Sequence, residues 1–266
     1  MILSIQKHTM YLVGICVKSS DFDEMTMFYR DLSQNYLTGP LPAFIGNLTE
    51  LQHLGVSANA LSGSIPKELG KLQNLNLLYV DSCGLGGEFP LTVSSLKNLQ
   101  FLWASDNNFT GKIPDFSETK LTTLRLGDTS NGISTLAFIS NLTSLSTLAL
   151  RNGRISDTIP SDFSNYSSLQ ILDLSFNNLT GQLPPSLFNL SSLQYLFLGN
   201  NSLSGSLPDS KSTSLVNIDL SYNQLSGSFP LWISEPNLNL YVEKAENLPL
   251  FYYLVIIQCL EILITA

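Results

Sequence analysis

Histidine and cysteine are nearly missing from this chain: His8 and His53, and Cys16, Cys83 and Cys259, are all that 266 residues contain. Acid–base, nucleophilic and zinc chemistry draw on these residue types, and none of the five stands at a spacing that such sites use. The wide separation of the cysteines also leaves out redox pairs and disulfide-rich modules. Charge is scarce as well, with 13% Asp, Glu, Lys and Arg and a net charge of −8. With no basic cluster, nucleic acid and anionic lipid are poor fits as the main partner. There is no Gly-rich phosphate loop, no Val-Ala-Ile-Lys, no His-Arg-Asp and no Asp-Phe-Gly, so no kinase is encoded here. Carboxylates are scattered, without the repeated Gly-Gly-x-Gly-x-Asp calcium pattern. We expect no catalytic residue, no cofactor and no metal site.

What the chain has is a period. With the last residue of Leu-Gln-His-Leu-Gly-Val-Ser-Ala-Asn59 as an anchor, equivalent positions fall at Asn35, Asn59, Cys83, Asn107, Thr129, Gly153, Asn177, Asn201 and Asn223. The steps are 24, 24, 24, 22, 24, 24, 24 and 22 residues, nine copies of one unit. A fixed period of this length is the mark of a solenoid. Apolar residues recur eight, five and three positions before the anchors and two after them, as Leu169, Leu172, Leu174 and Leu179 do around Asn177. The period-2 spacing of Leu172 and Leu174 predicts a short strand with one face inward. A Leu-x-Gly-x-Leu/Ile/Phe-Pro segment follows, such as Leu61 to Pro66, and then apolar residues at helical or 3₁₀ spacing such as Leu69 and Leu72. Glycine permits the turn and proline stops the ladder.

One such unit cannot bury its own leucines. Stacked copies can, with the strands pairing in parallel about 4.7–4.9 Å apart, so nine repeats span on the order of 40 Å. The predicted fold is an α/β repeat solenoid of about nine repeats with a parallel concave sheet. An anchor Asn would face inward, where its amide satisfies backbone groups of the turn, and the Cys83 thiol can take the same slot. Positions six, four, two and one before each anchor face outward on that sheet. Serine is the default two before the anchor, and Asp81 and Arg151 depart from it. Beside them fall Leu77, Tyr79, Phe101, Trp103, Asp106, Arg125 and Asp128. Aromatics and arginine dominate interface energies once desolvated. The candidate ligand-binding residues are therefore Tyr79, Asp81, Phe101, Trp103, Asp106, Arg125, Asp128 and Arg151. The competing reading is that neighbouring aromatics merely pack on one another. Tyr195 with Phe197 forms a second, weaker candidate, and His53, six before its anchor, reads as a surface residue.

These units resemble the plant-type leucine-rich repeat, in Leu51 to Leu72, Leu169 to Leu190 and Leu193 to Pro208. From about Leu32 to Ser234 the chain resembles the ectodomain of receptor-like kinases that join such repeats to a malectin-like domain. The stretch Leu124 to Phe138, which lacks Gly-x-Ile-Pro, is similar to their fifth repeat. The resemblance implies recognition of a peptide, protein or glycan-associated ligand, or of a co-receptor, at the outer face of the plasma membrane in cell-surface signalling, with any kinase domain outside this chain. It leaves two alternatives: a soluble inhibitor of a secreted cell-wall-degrading enzyme, or a non-functional truncated fragment. The cysteine-pinned caps typical of such inhibitors are missing here.

The coil is expected over 27–236. Residues 1–26 read as a non-repeat segment, either a weak export signal or an aberrant start, because Lys18 follows the apolar run Thr9 to Val17 without a convincing cleavage site. Residues 237–266 read as a degenerate half-repeat, in which Leu238, Leu240 and Val242 alternate, and an apolar tail. That tail, 248–266, is interrupted by Pro249 and Glu261, which argues against a membrane span. Seven Asn-x-Ser/Thr sequons, at Asn47, Asn108, Asn141, Asn165, Asn178, Asn189 and Asn200, are candidate glycosylation sites and favour the secretory pathway.

Overall fold

A computed structural model of the protein describes residues 28–242 together with short backbone strands between Ile2 and Lys18. The apolar run 248–266 and most of the segment before the coil lie outside the described residues. Among the described residues no helix is long and apolar enough to cross a membrane.

The inner sheet is parallel and has ten strands, from Tyr29–Asp31 through Leu77–Tyr79, Phe101–Trp103, Thr123–Arg125 and Ile171–Asp173 to Asn239–Tyr241. Each strand lies beside the next in sequence, and the register is constant: the residue five before each anchor pairs with its equivalent, as in Leu78↔Leu102↔Leu124↔Leu148↔Leu172↔Leu196. Leu54, Leu78, Leu102, Leu148, Leu172 and Leu196 are at most 2% exposed, so the inward layer is dry, as the pattern predicts. The sheet runs one strand past the nine anchors, where Leu240 pairs with Ile218.

A second ladder forms after the anchors, where Ala60–Ser62, Asn108–Thr110, Thr180–Gln182 and Ser202–Gly205 pair with their neighbours. It stays short because proline follows each time, without an N–H to donate. Pro42, Pro66 and Pro230 open 3₁₀ turns at Ala43–Asn47, Lys67–Lys71 and Leu231–Ser234, and Pro184 opens the one-turn helix Pro185–Phe188. These convex turns bury Ile45, Leu69, Leu187 and Trp232.

The anchors hold neighbouring turns together as expected. Asn107 Nδ2 donates to the carbonyls of Val80, Ala104 and Ser105, and its Oδ1 accepts from the amides of Cys83 and Leu85. Asn177 repeats the whole pattern, and Asn59, Asn201 and Asn223 repeat the three donations while accepting from one amide each. Cys83 stands in for one of them, its Sγ 3.1 Å from the Val56 carbonyl and 3.3 Å from that of Asp81. Burial pushes this thiol up to about 11, so it stays protonated in its slot. Thr129 cannot reproduce the pattern, and its buried Oγ1 has no partner.

The residue before each anchor is left-handed, with φ between 52° and 58° at Gln34, Ala58, Ser82, Asp106, Asp128, Asn152, Phe176, Asn200 and Tyr222. A non-glycine residue there costs about 1 kcal/mol or more. The stack maintains it because this residue's amide donates to the next repeat, as Ser82 N does to Ser105 O and Phe176 N to Gly199 O.

Candidate functional site on the inner sheet

The row four positions before the anchors runs across the sheet as Gly55, Tyr79, Trp103, Arg125, Ala149 and Asp173, each in register with the next. Parallel pairing holds their Cα atoms about 4.8 Å apart, close enough for flat side chains to stack. Tyr79 and Trp103 do so, with ring centroids 4.4 Å apart and planes at 24°. The Arg125 guanidinium lies 4.9 Å from the Trp103 ring centroid, in cation–π range. The stack extends the other way, because His53 sits 5.6 Å from Tyr79 and 4.0 Å from Tyr29. Tyr29, His53, Tyr79, Trp103 and Arg125 thus form one continuous strip over five repeats. The aromatics do pack on one another. What the packing leaves unsatisfied is polar: His53 Nε2, Trp103 Nε1 and Arg125 Nε are buried and have no hydrogen-bond partner.

The other candidate residues take distinct places. Phe101 lies six before its anchor, between Leu77 and Thr123, on the row beside the strip. Asp81 accepts a 2.5 Å hydrogen bond from the Ser57 hydroxyl. Asp106 and Asp128 form the sheet's edge row: the Asp106 amide donates to Asp128 Oδ2, and Asn152 Nδ2 donates to Asp128 Oδ1. Arg151 is not part of the strip. Its guanidinium lies over Phe176, 4.2 Å from the ring centroid. The repeats that carry Arg125 and Arg151 approach closely at Gly127, where any Cβ would stand 2.2 Å from the Arg151 carbonyl oxygen.

Burial sets the electrostatics of the strip. His53 has its pKa lowered by desolvation, with the Asp31 charge opposing. Tyr79 has its pKa raised by desolvation and by the nearby Tyr29, Asp31 and Asp81. The Ser33 hydroxyl and amide lower the Asp31 pKa by hydrogen bonding to its carboxylate. Sequence reasoning set His53 aside as a surface residue. The structure makes it the link between Tyr29 and Tyr79, and the available signal was that Tyr29 and His53 share the row six before their anchors. Among the described residues no group of His, Cys, Asp and Glu is placed to hold a metal.

The sequons separate by position. Asn47, Asn141, Asn165 and Asn189 all lie twelve after an anchor, on the convex side, and are exposed, as are Asn108 and Asn178 beside the outer ladder. Asn200, at the edge of the inner sheet, is half-buried.

Models of the leucine-rich repeat match residues 143–203 and, separately, 50–72, 98–118 and 214–235. A probable leucine-rich-repeat receptor-like serine/threonine-protein kinase of Arabidopsis thaliana is 67% identical over 30 residues, 11% of this chain and 3% of the kinase. The PEPR1–AtPEP1 complex superposes with a TM-score of 0.73 at 34% identity, over 82% of this chain and 32% of that one. The Arabidopsis receptor kinase HAESA, solved with the peptide hormone IDA and the co-receptor SERK1, gives 0.67 at 32% identity, over 77% and 35%. The chain therefore spans about a third of the solved receptor chains it matches. It is a leucine-rich-repeat solenoid similar to the ectodomains of plant leucine-rich-repeat receptor kinases.

Proposed function

We propose that this chain is a recognition module of a plant receptor-like kinase or receptor-like protein, and that its inner sheet binds a peptide or protein ligand or a co-receptor outside the cell. The observation that carries this reading is the strip from Tyr29 to Arg125, an aromatic and cationic row that holds three of the five buried side-chain polar atoms without a hydrogen-bond partner among the described residues. Buried polar atoms without partners are costly, and a ligand that supplies acceptors would remove that cost. Tyr79, Asp81, Phe101, Trp103, Asp106, Arg125, Asp128 and Arg151 are the proposed contacts, joined by His53. The exposed sequons support passage through the secretory pathway. Placement beside a malectin-like domain rests on repeat 5, which lacks Gly-x-Ile-Pro. Neither alternative gains support: the solved neighbours above are peptide–receptor complexes, and the dry core is that of a folded coil.

The test is affinity selection of synthetic peptides on the purified chain, followed by titration of the selected binders against Trp103→Ala and Arg125→Ala. Loss of a central aromatic or arginine contact is expected to weaken binding about tenfold or more. Unchanged affinity in both variants would move recognition away from the strip.

A further inference from the structure

The last third of the inner sheet differs in chemistry from the middle. In repeats 7 to 9, Asp173, Phe197 and Asp219 are in register on adjacent strands, four before their anchors, so a half-buried phenyl ring lies between two carboxylates. Tyr195 sits beside this ring, centroids 6.4 Å apart, and Tyr241 follows Asp219 in the same row. Tyr195 and Tyr241 are exposed.

Both carboxylates are held in place. Asp173 Oδ1 accepts from the amide and hydroxyl of Ser175 at 3.0 and 2.6 Å, and Asp219 Oδ1 accepts from those of Ser221 at 2.9 and 2.6 Å. One oxygen of each is occupied, and the other is left to an incoming donor. Gly199 makes the room: a Cβ there would stand 2.9 Å from Asp219 Oδ2. Orienting the acceptors beforehand lowers the ordering cost of binding. Among the described residues, no Lys or Arg occupies an outward position of the inner sheet in repeats 7 to 9. Elsewhere on the same face the molecule covers its aromatics with its own cations, Arg125 on Trp103 and Arg151 on Phe176. Among the described residues no such cation lies over Phe197.

We infer that Asp173, Phe197 and Asp219 form a subsite for an arginine side chain of a basic partner segment, the guanidinium stacking on Phe197 and donating to the carboxylates on either side. A planar guanidinium fits this arrangement better than an ammonium, because it can stack and fork at once. The inference rests on the reading of the inner sheet as the recognition face, but it concerns repeats other than those that hold the strip.

The probe is a capped tetra-arginine peptide titrated calorimetrically into the whole chain at low salt, with tetra-lysine for comparison. Asp173→Asn combined with Asp219→Asn keeps an oxygen to accept the serine hydrogen bonds and removes both charges; binding is expected to fall about tenfold or more. Phe197→Leu keeps the charges and is expected to weaken binding about threefold. Tetra-lysine is expected to bind less tightly than tetra-arginine. Asp31 offers the control: its Oδ1 accepts from the Ser33 amide in the same way, but its neighbour in register is Gly55. Asp31→Asn should leave the affinity unchanged. An equal loss in Asp31→Asn, an unaffected Phe197→Leu, or no measurable tetra-arginine binding would overturn the inference. Trp103→Ala separates the two surfaces: it should not alter tetra-arginine binding, and its effect on selected peptides stands or falls independently.

Discussion

Repeats 5 and 6 and the repeats on either side of them build the same inner sheet by different means. In the flanks the anchor is Asn or Cys, and a glycine four positions later takes the left-handed turn, at Gly39, Gly63, Gly87, Gly111, Gly181, Gly205 and Gly227. In repeats 5 and 6 the anchors are Thr129 and Gly153, and the turn positions hold Ile133 and Asp157. The outer ladder breaks there into isolated bridges, Thr110↔Ser130, Ser134↔Ile155 and Thr158↔Thr180. Side chains fill part of the gap: the Ile113 amide donates to Ser134 Oγ, and the Leu136 amide to Asp157 Oδ2. The inner sheet keeps its register throughout. One layer of the coil can therefore lose its regular hydrogen bonding while the layer that presents the side chains stays intact, and the irregular repeats are those that carry Arg125 and Arg151.

The sharpest way to break that comparison is to exchange its two halves. Asn177 Nδ2 donates to the carbonyls of Leu150, Leu174 and Ser175, and its Oδ1 accepts from the amides of Gly153 and Ile155. Asn177→Ala leaves all five groups without this partner inside the coil and is expected to cost on the order of 3–5 kcal/mol. Thr129→Val removes a hydroxyl that bonds to nothing and is expected to be neutral or to stabilise by about 1 kcal/mol. Urea midpoints with unchanged slopes measure both. Equal losses at the two positions would mean that the middle repeats depend on their anchors as much as the flanks do.

Most of the fold was legible because it follows from a count. The anchors, the dry row of Leu54 to Leu196, the proline-terminated ladder and the Cys83 substitution all follow from a single aligned unit. The tenth strand was only hinted at by Leu238, Leu240 and Val242. The left-handed residue before each anchor was not legible, since Phe176 and Tyr222 have no local preference for that conformation and adopt it because the neighbouring turn accepts their amides. The rows of the candidate residues were legible, but their partners were not. Sequence placed Arg125 and Arg151 together in the middle repeats; the fold turns one onto Trp103 and the other onto Phe176. That choice belongs to side-chain rotamers across neighbouring strands, which no spacing encodes.

A smaller effect separates the C-terminal flank from the middle. Lys211, its side chain 1% exposed, pairs with the half-exposed Glu235 across successive repeats, beside Trp232, whose indole donates to the Pro208 carbonyl. Removing one member of such a pair is worse than replacing the buried charge. Glu235→Ala leaves the Lys211 ammonium without its counter-charge and is expected to cost about 2 kcal/mol, less than a fully buried pair because Glu235 reaches solvent. Lys211→Met places an apolar chain under Trp232 and leaves an exposed carboxylate, with an expected change of less than about 1 kcal/mol. Thermal or urea unfolding of the two variants checks the ordering, and a larger loss for Lys211→Met would reverse it.

The smallest effect concerns the N-terminal flank, where the strip contains its one titrating imidazole. Desolvation between Tyr29 and Tyr79 lowers the His53 pKa below 6.5 in the folded chain, and the Asp31 charge only partly offsets this. The unfolded chain therefore takes up its proton first as pH falls. Linkage then makes stability greatest above pH 6.5 and lowers it progressively between 6.5 and the depressed folded value, after which this contribution is flat. Asp31 acts in another window, since its lowered pKa gives stability that disappears only as pH falls below 3.8. His53→Gln removes the first dependence and keeps the second. Urea midpoints at pH 7.5, 6 and 5 should decline more steeply for the unmodified chain than for His53→Gln. Parallel slopes would show that His53 titrates as it does in water, and the strip would then lose its desolvated imidazole.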